Sequence, residues 1–144
     1  MAVTESLLQI GEVAARVGLS LRTVRYYEEI GLVVPSARTT GGFRLYSETD
    51  VERLETVKRM KPLGLSLEEM AELLELLERS EQPGRLGRRE LAATTERLEV
   101  YTERADERIA RLERDLSQAH ELRLRMSETL GRCSQILETS RTRA

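Results

Sequence analysis

Residues 88–137 contain no proline and a single glycine, Gly131, and their apolar positions recur every seven residues. Leu91, Leu98, Ala105, Leu112, Ala119, Met126 and Cys133 fall in one register of that repeat. Thr95, Thr102, Ile109, Leu116, Leu130 and Leu137 fall in the other, interrupted by Arg123. Such spacing draws a narrow apolar seam along one side of a helix, flanked here by Glu and Arg throughout. A solitary helix gains little from so thin a seam, so a second chain is expected to cover it. The pattern predicts a dimerising coiled coil and leaves the first 87 positions to build a globular head.

That head reads as short elements with strong punctuation. Residues 4–10 are short and end apolar, as a brief strand leading into a helix would be. Val13, Ala14 and Val17 share one face of a helix over residues 11–17, which Gly18 closes in the place a C-terminal cap prefers. Ser20 is a good N-cap for a second helix over residues 21–30, and Gly31 ends it. Two short helices separated by Gly-Leu-Ser spell a helix-turn-helix. Residues 38–46 then predict two short strands around Gly41 and Gly42, which would supply the positive φ of a tight hairpin. Ser47 with Asp50 should open a third helix whose inner face is Val51, Leu54 and Val57. Pro62-Leu63-Gly64 breaks it, and Ser66 with Glu69 opens a fourth. Leu67, Met70, Leu73, Leu74, Leu76 and Leu77 make a stripe there too wide for one neighbour, so a second helix should pack on it. Residues 80–87 hold a proline and two glycines and predict a hinge. The resulting organisation is a head over 1–79, a hinge over 80–87 and a dimerisation helix with its tail over 88–144.

Chemistry concentrates in residues 11–46. Four of the chain's five aromatic residues lie there, Tyr26, Tyr27, Phe43 and Tyr46. Arg16, Arg22, Arg25, Arg38 and Arg44 lie there too, against only Glu12, Glu28 and Glu29. Rings and guanidiniums gathered on a helix-turn-helix suit a nucleic-acid surface. Arg22, Thr23, Arg25 and Tyr26 occupy the first two turns of the second helix, where side chains reach base edges or phosphates. Tyr27 should lie partly against the core with its hydroxyl free. Arg38 and Arg44 flank the hairpin with Tyr46 near them, and would contact phosphates beside the groove. Lys61 is a candidate for a second, smaller wing. Leu91 to Leu116 spans about 38 Å of helix, close to the roughly 34–36 Å between successive major-groove faces. An antiparallel pair would put a head at each end of such a rod, but the small and polar seam residues decide neither orientation.

The run VRYYEEIGLVVPSARTTGGFRLYS, followed by a helix and then LGLSLEEM, resembles the N-terminal domain of MerR-family transcription regulators over residues 10–77. The resemblance implies a mainly α fold: a winged helix-turn-helix with a small β-hairpin wing and a long antiparallel coiled-coil dimerisation helix. It implies a homodimer on double-stranded promoter DNA with an overlong spacer, which family members twist and kink for RNA polymerase. By the same resemblance Arg22, Arg25, Tyr26, Tyr27, Arg38, Arg44, Tyr46 and Lys61 inherit contacts to DNA. Pro62 departs from the pattern, where an ordinary helix former is expected, and could distort the second wing.

With a formal net charge of -2, the chain is no polyelectrolyte, so any binding to DNA must come from a local patch. The lone cysteine, Cys133, excludes an internal disulfide framework, and one thiolate cannot complete a metal shell, so neither a metal nor a cofactor is expected. A thiol- or small-ligand-sensing regulator remains one alternative, with Cys133 as its redox candidate and an effector that the sequence does not name. A DNA-architectural or coiled-coil adaptor without promoter regulation is the other. Tyr101 flanks the seam and is expected to pack on the partner helix. His120, the only histidine, is expected to be solvated. No phosphate-binding glycine loop, His-Glu-x-x-His or nucleophile-base pair is present, so an enzyme is not expected. No apolar run approaches the roughly 20 residues of a membrane span and no leader opens the chain, which together suggest a cytoplasmic protein.

Overall fold

The structure, a computed structural model, describes residues 6–143. Five helices and three short strands follow in the order β1 Leu8–Gln9, α1 Ile10–Val17, α2 Leu21–Glu29, β2 Ala37–Arg38, β3 Arg44–Tyr46, α3 Glu48–Met60, α4 Leu67–Arg79 and α5 Arg88–Thr142. Single 3₁₀ turns at Lys61–Leu63 and Pro83–Arg85 join α3 to α4 and α4 to α5. Of the strand expected over residues 4–10, Leu8–Gln9 is seen, while positions 4 and 5 lie outside the described residues. No helix among the described residues is long and apolar enough to cross a membrane.

Local chemistry sets the helix ends. Gly18 closes α1 at φ 69°, and Lys58 of α3 donates from Nζ to the Val17 carbonyl at 2.6 Å. A Cβ at Gly18 would sit 3.2 Å from that Nζ, so this position needs glycine for both its backbone and its neighbour. Ser20 caps α2 by accepting from Thr23 N at 3.1 Å. Ser47 with Asp50, and Ser66 with Glu69, form complete capping boxes on α3 and α4. Pro62 falls in the 3₁₀ turn that ends α3, and Gly64 follows in the left-handed conformation. The break expected at Pro62 is therefore a tight turn.

The sheet is antiparallel in the order β1-β3-β2, with Leu8 opposite Tyr46 and Arg38 opposite Arg44. The expected hairpin thus gains a third strand. Of the two glycines at its tip only Gly42 has positive φ, 83°. Gly41 does not, contrary to expectation: the turn needs one left-handed residue, and the Phe43 ring lies across Gly41, 3.2 Å from where a Cβ would stand.

One compact unit extends through Tyr101. Val13, Val17, Val24, Val33, Tyr46, Leu54 and Val57 form its centre, each essentially without solvent exposure. Burying each aliphatic side chain contributes about 1.5–3 kcal/mol. Met70, Leu73, Leu74 and Leu76 of α4 join this core, while Leu67 and Leu77 stay exposed. The second helix that covers α4 is the start of the same chain's α5, where Thr94 and Tyr101 are buried and Leu98 packs on the core. Two expectations change here. Leu98, expected in the seam, packs against the head, and Tyr101 packs on its own head, with its hydroxyl 2.8 Å from Glu72 Oε2.

The rest of α5 forms the second unit. The helix is continuous beyond Leu116, and Ile109, Leu112, Leu116, Met126, Leu130 and Leu137 are all exposed on it. So are Leu122, Leu124 and Ile136, which lie outside both seam registers, and Cys133 and His120.

Candidate nucleic-acid interface

Helix α2 divides its residues by the helical period. Val24 and Tyr27 point into the core, so Arg22, Arg25 and Tyr26 are left on the outer face. Its first turn carries no acid, and its backbone N–H groups and partial positive charge favour an anion there. The side chains of Arg22 and Arg25 have no hydrogen-bond or ion-pair partner among the described residues. Tyr26 is 44% exposed, and its ring stands 6.1 Å from that of Tyr27 at an interplanar angle of 44°. Thr23 is half-buried, and its hydroxyl meets Ser20 Oγ at 2.8 Å as part of the cap.

The wing stands on the same side through Glu28. This carboxylate accepts from Arg38 Nη2 on β2 and from Arg44 Nε on β3, while Arg38 Nη1 donates to the Gly42 carbonyl at 3.0 Å. The hydrogen bond to Glu28 raises the Arg44 pKa further above its ordinary value. Phe43, at the wing tip, is 70% exposed, the most open of the described aromatic rings. Its signal was present in the sequence as an apolar residue placed between a glycine turn and an arginine.

Two tyrosines leave the expected surface. Tyr46 is 0% exposed, on the central strand of the sheet opposite Leu8, so its ring belongs to the core and has no face to offer a duplex. Its hydroxyl has no hydrogen-bond partner among the described residues, and burial, with Glu28 second, pushes its pKa up. Tyr27 is more buried than expected, at 7% exposure, and burial raises its pKa as well. Arg16 turns away from the cluster to make a two-point ion pair with Glu48 at 2.8 and 3.0 Å. Lys61 is exposed at the end of α3, and its side chain has no hydrogen-bond or ion-pair partner among the described residues. The geometry thus gathers Arg22, Thr23, Arg25 and Tyr26 on α2 with Arg38 and Arg44 on the wing.

Three groups hold this arrangement in ways the sequence did not mark: Glu28, legible only as an opposing acid, Asp50, legible only as a helix cap, and Lys58. The Asp50 carboxylate is buried and accepts from Ser47 N at 2.9 Å and from Ser36 N at 3.1 Å. It therefore fixes the approach to β2. Among the described residues, no group of three or more His, Cys, Asp or Glu side chains could hold a metal ion.

Residues 8–77 match the profile described as MerR HTH family regulatory protein. The mercuric resistance operon regulatory protein of Bacillus cereus is 44% identical over 73 residues, covering 51% of this chain and 55% of that protein. Residues 8–77 form a MerR-family helix-turn-helix domain. The HTH-type transcriptional regulator YfmP of Bacillus subtilis is 52% identical over 69 residues, covering 47% of this chain and 49% of that protein. The chain thus spans about half the length of these curated relatives. Among solved structures, HiNmlR, a MerR-family regulator lacking the sensor domain and bound to promoter DNA, shares the fold with a TM-score of 0.58. That likeness covers 78% of this chain and 80% of HiNmlR at 22% sequence identity. These proteins are transcription regulators, not enzymes.

Proposed function

We propose that this protein is a sequence-specific, DNA-binding transcriptional regulator that works as a homodimer on a palindromic promoter element in the cytoplasm. The observation that carries the reading is the outer face of α2. Arg22, Arg25 and Tyr26 stand there beside an N-terminus free of acids, with a wing bearing Arg38 and Arg44 next to it. Arg22 and Thr23 would meet base edges, and Arg25, Arg38, Arg44 and Lys61 would meet phosphates. The promoter DNA held by HiNmlR supports the same ligand for this fold. The exposed seam from Ile109 to Leu137 supports a second copy as the partner of α5, and the antiparallel pairing follows the resemblance to MerR-family regulators. Two heads on one duplex would then deform the DNA between half-sites and alter its use by RNA polymerase.

The test is selection of bound duplexes from a random-sequence pool, with sedimentation of the free protein and transcription in vitro from a promoter carrying the selected site. An inverted repeat, a dimer and a changed initiation rate are expected. A monomer at micromolar concentration, or equal affinity for every duplex, would overturn the reading. Unchanged initiation despite specific binding would leave an architectural protein instead.

A further inference from the structure

Two arginines placed directly opposite each other on neighbouring antiparallel strands repel, and Arg38 and Arg44 are so placed. Glu28 answers both. One oxygen of its carboxylate accepts from Arg38 Nη2 and the other from Arg44 Nε, so a single side chain of α2 holds both strands of the wing. The Glu28 side chain is only 16% exposed, against 46% for Arg38 and 28% for Arg44. The acid is thus the buried centre of the cluster and the guanidiniums are its rim. Arg38 is held a second time by the Gly42 carbonyl, which fixes it to the wing tip. Arg44 spends only its Nε on Glu28, so its two terminal nitrogens remain available to a ligand.

We propose that Glu28 is a specificity-determining positioning residue of the interface. It touches no DNA itself. Its charge cancels half of the pair's, which weakens attraction to any phosphate regardless of sequence. Its two oxygens fix the directions of the remaining guanidinium N–H groups relative to α2. Only a duplex seated correctly on α2 then places its phosphates in front of them. Freed arginines would follow phosphates anywhere, and the head would gain affinity for all DNA while losing preference for its site. This inference rests on the DNA-binding reading above.

The experiment compares Glu28→Gln and Glu28→Asp with the wild-type chain at 0.15 M salt. Each is titrated with a duplex selected by the wild type from a random pool and with an unselected duplex from that pool. Glu28→Gln removes the charge, so affinity for the unselected duplex should rise severalfold, roughly what one added phosphate contact gives. Affinity for the selected duplex should stay level or fall, lowering the ratio about tenfold. Glu28→Asp keeps the charge but is one methylene too short to reach both arginines. It should lose affinity for the selected duplex without gaining any for the other. In an Arg38→Ala, Arg44→Ala background neither change should move the ratio further.

A merely structural role would weaken both complexes in proportion. A ratio within twofold of wild type in both variants, or a change that persists without the arginines, would overturn the proposal. A wild-type chain that does not discriminate between the duplexes would instead overturn the DNA-binding reading, and the two failures are distinct.

Discussion

Asp50 offers the sharpest test of how the head is held together. Its Oδ2 accepts from Ser47 N at 2.9 Å, Ser36 N at 3.1 Å and Ser36 Oγ at 2.5 Å, and the side chain is 2% exposed. Asp50→Ala removes the acceptor for all three donors at once. A hydrogen bond to a charged group contributes about 1.5–3 kcal/mol. The Ser36 hydroxyl has a second acceptor in Ser47 Oγ at 3.1 Å and can turn to it, so two donors are left uncompensated. Their combined loss is about 3–6 kcal/mol. For a chain of this size that corresponds to a fall in Tm on the order of 10 °C, measurable by scanning calorimetry. Asp50→Asn keeps an oxygen in place but not its charge and should lie roughly midway. Because Ser36 leads directly into β2, the alanine variant should also lose affinity for DNA at temperatures where it remains folded. A fall of less than about 3 °C for Asp50→Ala would refute the assignment of Asp50 as the anchor.

Three further outcomes are expected. Arg25→Ala should weaken binding to all duplexes and flatten the dependence of log K on log salt by about one unit, as loss of a phosphate contact does; an unchanged slope removes Arg25 from the interface. Tyr46→Phe deletes a buried hydroxyl that has no partner among the described residues and should leave Tm level or raise it by a few degrees; a clear fall in calorimetry would mean that the hydroxyl is satisfied. Arg97, and Tyr101 after it, hold the Glu72 carboxyl below its ordinary 4.5. A group depressed on folding contributes stability above its unfolded pKa and loses it as pH falls through the folded value. Wild type should therefore lose more stability than Glu72→Gln on acidification below about pH 4.5, followed by denaturant melts. Parallel loss in both proteins would show that the Glu72 contacts to Arg97 and Tyr101 add no stability.

What was readable in the sequence is what is decided within a few residues. Gly18, Ser20 and the two capping boxes satisfy backbone groups three or four positions away, so their residue types announce their roles. The outward face of α2 followed from the helical period in the same way. The tyrosines were another matter. Tyr26 and Tyr46 look alike in a basic stretch, and only the pairing of Tyr46 with Leu8, from the start of the chain, separates surface from core. Glu28 read as an acid opposing a basic patch, because its partners lie 10 and 16 residues onward. Tyr101 read as part of a coiled-coil flank for the same reason, since Glu72 lies 29 residues back.

That last contact bears on any attempt to move this head onto a different rod. Residues 80–87 look like the natural place to cut, being rich in glycine and proline. A graft divided there would forfeit Thr94, Leu98 and Tyr101, strip α4 of its cover and leave Glu72 without Arg97. A transplantable version must carry the root of α5 with it, through Tyr101, and chimaeras joined earlier should come out sticky and poorly folded.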